Sequence, residues 1–397
     1  VTRPSRDIVL LFSARSARMF AYGLLSLVLV LYLSRIGLGT GAIGLLVSLT
    51  FAGDLVISTW LTTRADRVGR RRILIIGALL MAAAGAAFLA TRSLPWLIVA
   101  AIVGVISPSG HEVGPFLPVE QAALSQEVDT TRRTHLYAWY NLAGSLATAL
   151  GSLVAGTLLG WNAGVGHDDL VAYRVVLAAY AAVGLLLAGL FALVSRDVEA
   201  EAPSPAAGWL GIGHARGAIL RLSALFAVDS FAGGFILQSF LVYWLTLRFH
   251  AEPRLLGALF FSINLFSGLS GLVAARIAAR IGLVRTMVVT HLPSNVMLAL
   301  VPFMPTLPLA MGMLLLRSTI SQMDVPTRQS FVASVVPANE RAAAGGVTNV
   351  FRSIGTMISP ALVGWMLAGG EATPLPFLLA GGLKIAYDLA LLAQFGR

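Results

Sequence analysis

The chain has 397 residues, of which 57% are hydrophobic and 12% charged, and its mean hydropathy is +0.83. A soluble domain of ordinary composition is about one-quarter charged, so a soluble enzyme, a nucleic-acid-binding domain and a disordered protein are excluded. The net charge of +10 comes from 27 arginines and one lysine, Lys384, against 18 acids, and the basic residues recur in short clusters between apolar runs, as in a membrane protein that records its orientation.

Apolar runs bounded by charge, glycine or proline predict twelve membrane spans, at roughly 8–34, 41–63, 72–91, 95–122, 134–160, 169–195, 216–247, 253–279, 284–303, 306–335, 340–368 and 373–395. No cleavable signal peptide is expected, because residues 1–7 lead into a full-length span without a small-residue cleavage site. There is no cysteine, which excludes disulfides, thiolate metal ligands and cysteine nucleophiles. One side of the spans receives Arg3, Arg6, Arg64, Arg67, Arg70, Arg71, Arg72, Arg132, Arg133, Arg196, Arg216, Arg276, Arg280, Arg285, Arg341 and Arg397; the other receives Arg35, Arg92, Arg174, Arg248 and Arg254. The positive-inside rule then places both termini in the cytoplasm. The polar connection 196–215, with Pro203, Ser204, Pro205 and Gly208, has linker composition. It separates an N-terminal six-helix bundle, 1–195, from a C-terminal one, 216–397.

An internal repeat joins the halves. At an offset of 208 residues Pro118 aligns with Pro326, Gln121 with Gln329, Arg133 with Arg341, Asn141 with Asn349, Ser145 with Ser353 and Thr148 with Thr356. Nearer the start of each half the offset is 211, pairing Phe20 and Ala21 with Phe231 and Ala232, and Tyr32 with Tyr243. Halves of equal orientation form a parallel repeat, with a cavity expected between them at the bilayer midplane. The expected fold is all-α: a polytopic membrane protein of two pseudo-symmetric six-helix bundles.

The connection between spans 2 and 3 reads Thr62-Thr63-Arg64-Ala65-Asp66-Arg67-Val68-Gly69-Arg70-Arg71. With the twelve spans and the repeat, it resembles the signature loop of the major facilitator superfamily, Gly-x-Leu-x-Asp-Arg-x-Gly-Arg-Arg. Asp66, Arg67, Gly69, Arg70 and Arg71 match, Thr62 and Arg64 depart, and the second half keeps only Arg280-Ile281-Gly282. The resemblance covers essentially the whole chain and implies secondary transport by alternating access, a cytoplasmic latch at this loop, a cavity lined by spans 1, 4, 7 and 10, and a monomer. The arginine-bearing span 4 and Gly-Pro-rich span 5 of drug/proton antiporters are missing, as are the long signature loops of sugar porters, so the subfamily stays open.

Ionisable residues within spans cost roughly 2.5–3.5 kcal/mol each on insertion scales and mark functional sites. Arg18 lies about ten residues into span 1, roughly 15 Å at helical rise, and the 211 offset superposes it on Asp229 in span 7. Asp229 is the expected proton- or cation-responsive carboxylate, and Arg18 is expected to hold an anionic substrate group or that carboxylate. A second, deeper layer comprises His111, Glu112 and Glu120 in span 4 and Arg317, Asp324 and Arg328 in span 10. Glu120 and Arg328 are repeat equivalents of opposite sign, expected to close a cytoplasmic gate with Asp54 and Arg352. Tyr22 and Gln238 complete the expected cavity residues. Pro108, Pro115, Pro118 and Pro326 should break their helices, with Gln121, Gln329, Asn141 and Asn349 as partners for the freed carbonyls. His291 reads as structural, and Lys384 and Asp388, four apart, as a local helix pair.

These residues predict a transporter with no enzymatic activity and no cofactor, whose partners are a small organic molecule, protons and the lipid bilayer of the cell (inner) membrane, and not nucleic acid. Proton-coupled export is the expected mode. The alternatives are import of a nutrient or organic anion held by Arg18 and Arg317, export of a metal ion at His111, Glu112, Asp324 and Met323, a sensor that no longer transports, and an intramembrane enzyme. The last is disfavoured because Pro115 stands where His-Glu-x-x-His needs its second histidine, and Gly-x-Ser-x-Gly is absent.

Overall fold

The computed structural model describes residues 5–125, 130–166, 168–195, 198–199, 216–336 and 340–396. Arg3, Arg196, Arg397 and the linker apart from Val198 and Glu199 lie outside the described residues, as do the side chains of Arg132, Arg133 and Arg341. The first half holds α1 (Arg6–Arg35), α2 (Thr40–Val68), α3 (Arg70–Ala90), α4 (Leu94–Val103), α5 (Phe116–Leu124), α6 (Thr130–Gly164) and α7 (Asp169–Leu193). The second holds α8 (Arg216–Gly234), α9 (Gln238–Phe249), α10 (Pro253–Ile281), α11 (Leu283–Leu300), α12 (Leu307–Ser318), α13 (Asp324–Val335), α14 (Arg341–Met366) and α15 (Leu375–Phe395).

Nine helical stretches among the described residues are long and apolar enough to cross a bilayer. The three remaining spans are α4 with α5, α12 with α13, and α14, which includes Arg341 and Arg352. Each interrupted pair counts as one span, and the total is twelve. The sequence reads spans 4, 7 and 10 as unbroken, whereas the structure interrupts all three. Span 4 opens from Gly104 to Pro115, where Gly110 (φ 72°) and Gly114 (φ 82°) adopt a left-handed backbone that a side chain would strain. Span 7 breaks after Gly233-Gly234, and span 10 at residues 319–323. Pro326 does not break α13, because in the first helical turn the missing N–H has no acceptor to serve.

Two compact units emerge: residues 1–204 with 252–261, and residues 205–251 with 262–397. In the first, α1 packs on α6 and α7, α3 on α7, and α2 on α4. In the second, α8 packs on α14 and α15, and α11 on α15 and α13, around Ile219, Leu222, Phe226, Met287, Tyr387 and Leu391. The pairings α1–α6 and α8–α14 are the same contact under the repeat, and both use a glycine. A Cβ on Gly23 would overlap the Thr148 carbonyl oxygen, and one on Gly234, 211 residues later, would overlap the Ser359 hydroxyl and sit 3.0 Å from the Thr356 carbonyl. Helix backbones meet this closely only where no side chain intervenes.

Candidate functional site

In the first unit, α1 presents Arg15 and Arg18 on one face, three residues apart. Arg18 donates to both oxygens of Glu120 in α5, at 2.6 and 2.7 Å, and through Nε to Glu112 Oε1 at 2.8 Å. Arg15 donates to the other oxygen of Glu112 at 2.8 Å and to Asn141 Oδ1 in α6 at 3.2 Å. Tyr140 donates to Glu120 Oε2 at 2.5 Å, and the Arg18 guanidinium lies 4.4 Å over the Phe116 ring. Arg18 and Glu120 are wholly buried. Two cations and two carboxylates thus form a closed, hydrogen-bonded set, the arrangement in which buried charge is tolerated.

Glu112 comes from the break in span 4, and the break is held by side chains the sequence did not single out for it. Asp54 accepts from Gly114 N at 2.7 Å and from Ser58 Oγ at 2.7 Å. Tyr22 donates to the Val113 carbonyl at 3.3 Å, Tyr180 to that of Val105 at 2.7 Å, and Ser107 to that of His111 at 2.6 Å. The expectation that Gln121 and Asn141 serve the freed carbonyls is corrected: Asn141 accepts from Arg15, and the Gln121 carbonyl accepts from Tyr137. Gln329 and Asn349 are exposed. Tyr22 and Asp54 therefore hold the break in place. His111 binds into the same loop through its backbone, its N–H donating to Ser109 Oγ at 3.3 Å.

In the second unit, Asp229 of α8 is the hub. Lys384 Nζ of α15 donates to its Oδ1 at 2.5 Å, and Arg328 Nη1 of α13 to its Oδ2 at 3.3 Å. The same Arg328 nitrogen donates to Asp324 Oδ2 at 3.0 Å, one turn away on α13. Asp388 of α15 accepts from Asn295 Nδ2 at 2.9 Å, and His291 Nδ1 lies 2.9 Å from its Oδ1. His291 Nε2 stands 3.9 Å from Asp229 Oδ1. Arg352 donates to Ser230 Oγ at 3.1 Å, Arg317 to the Ser294 carbonyl at 3.5 Å, and Asn264 to Gln238 Oε1 at 3.3 Å.

Three expectations are corrected by these contacts. Lys384 and Asp388 do not form a local helix pair, because four-residue spacing puts both on one face and that face is turned to α8 and α11. His291 belongs to the charged cluster, where its position on span 9 had suggested packing alone. The midplane and deeper layers merge within each unit, since Arg18 binds Glu120 and Asp229 binds Arg328. Long basic side chains reach well beyond their own helix turn, so residue counts along a span overstate the separation. As for the loose metal site, Glu112 and Asp324 already carry arginines, and among the described residues no three His, Asp or Glu side chains group as a metal-ligand set. The sequence missed Arg15 and the role of Lys384; the signals were the three-residue spacing to Arg18 and an intramembrane lysine in a chain otherwise basic through arginine.

The loop between α2 and α3 is a second built feature. Gly69 turns at φ 108°, which lets Arg70 fold back on Asp66 at 2.9 Å. Arg70 also donates to the carbonyls of Val198 at 3.1 Å and Ala122 at 3.4 Å, and Arg71 to that of Ala192 at 2.5 Å. Glu199 accepts from the backbone N–H groups of Arg70 at 2.5 Å and Arg71 at 3.3 Å, placing a carboxylate on the positive end of α3. Arg67 is exposed.

The family model described as Major Facilitator Superfamily matches residues 11–360 and again 230–393, and the chain belongs to that superfamily. An uncharacterized membrane protein of Saccharomyces cerevisiae is 30% identical over 423 residues, covering 98% of this chain and 94% of that protein. Among solved structures, the nucleoside transporter NupG matches with a TM-score of 0.76 at 14% identity, covering 99% of this chain and 100% of that one. The xylose transporter XylE from E. coli matches with 0.71 at 13% identity, covering 98% and 99%. The human organic anion transporter TETRAN matches with 0.63 at 19% identity, covering 97% and 99%. These structures share the fold of a transporter.

Proposed function

We propose that this protein is a proton-coupled secondary transporter that exports a small organic molecule by alternating access, as a monomer in the cell membrane with both termini cytoplasmic. The observation that carries the coupling is Asp229, a buried carboxylate shared between Lys384 at 2.5 Å and Arg328 at 3.3 Å. Protonating Asp229 would remove the acceptor of both cations at once, untying α8 from α13 and α15. A proton would thereby loosen one unit without any other chemical step. Arg18, whose partners are all internal to its unit, serves as structure in this reading and not as an anion anchor. Export is supported by the sparse acids among aromatic residues in the sequence, and the nucleoside, xylose and organic-anion specificities of the fold's relatives widen the substrate panel to be tested.

The test begins with thermal unfolding of purified wild type and Asp229→Asn against tetraphenylphosphonium, benzoate, uridine and xylose. Stabilisation of wild type by one compound, followed by its pH-gradient-driven movement in proteoliposomes, supports the proposal. Compound movement that ignores the pH gradient in wild type overturns the coupling, and inward flux with the proton gradient overturns export.

A further inference from the structure

We infer that His291 is the proton-binding site of the second unit, and that its protonation transfers Asp229 from Lys384 to His291. The inference rests on the proton-coupled reading above and assigns the proton to a group that reading leaves aside.

The geometry defines the ring. A carboxylate only accepts, so the 2.9 Å contact to Asp388 Oδ1 assigns a proton to His291 Nδ1. Asn295 holds the other Asp388 oxygen at 2.9 Å and fixes the carboxylate's orientation. Nε2 then carries a lone pair, and it faces Asp229 Oδ1 at 3.9 Å, outside hydrogen-bond distance. Two lone pairs facing each other do not close that gap. An added proton on Nε2 would turn the repulsion into a charge-assisted bond of about 2.8 Å.

The oxygen that this bond would take is already in use. Lys384 Nζ donates to the same Oδ1 at 2.5 Å, so an imidazolium and an ammonium would compete for one acceptor while repelling each other. An N–H bond forms at Nε2 with a proton from water, Lys384 keeps its protons, and the bond lost is the Lys384–Asp229 hydrogen bond. The tie between α8 and α15 becomes a tie between α8 and α11.

The other charged groups around the ring favour this exchange. Arg328 of α13 stays on Asp229 Oδ2 and on Asp324. From α12, Arg317 donates to the Ser294 carbonyl, and from α14, Arg352 donates to Ser230. Tyr387 of α15 meets the imidazole edge-on, with ring centroids 6.1 Å apart. Two buried polar atoms next to the ring on α11, Ser294 Oγ and Asn295 Oδ1, have no partner among the described residues. Buried polar atoms are nearly always hydrogen-bonded, so these two offer acceptors beside the ring along which a proton can be passed.

Lys384 is the only lysine in the chain, which gives the experiment a single-site readout that needs no substrate. The full chain, with lysine-free tags and labelled with ¹³C,¹⁵N-lysine, gives one side-chain Cε–Nζ signal in detergent micelles. We expect that signal to step once between about pH 8 and pH 5, the range in which histidine takes its proton. The step should vanish in His291→Gln and persist in His250→Gln. In Asp388→Asn, which removes the carboxylate that favours the imidazolium, its midpoint should fall. A flat Lys384 signal in wild type, or an unchanged step in His291→Gln, overturns the inference; if that variant does not fold, an unchanged midpoint in Asp388→Asn does so. Failure of the coupling reading looks different: proteoliposome flux would ignore the pH gradient while the Lys384 step remained in place.

Discussion

Arg18 and Glu120 form one buried ion pair, and their repeat counterparts Asp229 and Arg328 form the same pair with the signs exchanged. The two bridges differ in closure. The first is bidentate at 2.6 and 2.7 Å, backed by Tyr140. In the second, Arg328 reaches one oxygen at 3.3 Å and Lys384 holds the other. A carboxylate bound at each oxygen by a different helix can be released by one charge change, whereas a bidentate pair resists it. The same position is therefore structural in one half and available for switching in the other.

Breaking the first pair should be expensive. Glu120→Gln leaves Arg18 buried with only Glu112 as a charged partner, and a loss of about 3–5 kcal/mol is expected. The double variant Arg18→Met, Glu120→Leu should recover much of it, because well-packed apolar groups need no partner. Thermal unfolding in detergent checks both.

The link between α8 and α15 is measurable as a coupling energy. In a double-mutant cycle, Lys384→Met with Asp229→Asn should show an interaction of about 1–3 kcal/mol, the range for residues in one network. Lys384→Met with Asp388→Asn should be closer to additive. The reverse order would restore the local helix pair that the sequence suggests.

Gly23 and Gly189 make a paired test of backbone approach. A methyl on Gly23 would overlap the Thr148 carbonyl and push α1 from α6, so Gly23→Ala should cost about 1–3 kcal/mol, as overpacking does. A methyl on Gly189 in α7 would meet nothing within 4 Å, and Gly189→Ala should be neutral or gain up to about 1 kcal/mol from helix propensity. Unfolding temperatures of the two variants distinguish them.

Much of this site could be read from the chain before its fold was known. Arg18, Glu120, Asp229 and Arg328 stood out because charge within a span is rare, and the two offsets already matched each to its counterpart. Their assignment to separate layers failed because counting residues ignores side-chain reach. Lys384, Asp388 and His291 were misjudged for a related reason. Spacing along one helix shows which residues share a face, and only packing shows what that face meets. The Gly23–Gly234 match carried no weight in a glycine-rich sequence until both residues proved to sit at the same helix crossing.

The signature loop adds a stability prediction. Glu199 accepts from two N–H groups at the start of α3, and Glu199→Ala should cost about 0.5–2 kcal/mol, the usual effect of losing a helix N-cap. Glu199→Asp should retain part of it. Hydrogen exchange at the first turn of α3 should rise in the alanine variant and leave the rest of the helix unchanged.

The most direct measurement uses proteoliposomes loaded with a pH-sensitive dye and given whichever of the four compounds stabilises the protein. The account predicts that adding this compound to wild-type vesicles moves protons, and that Asp229→Asn abolishes the proton signal while one-for-one exchange of labelled compound continues. Undiminished proton movement in Asp229→Asn, with the compound still carried, would contradict it.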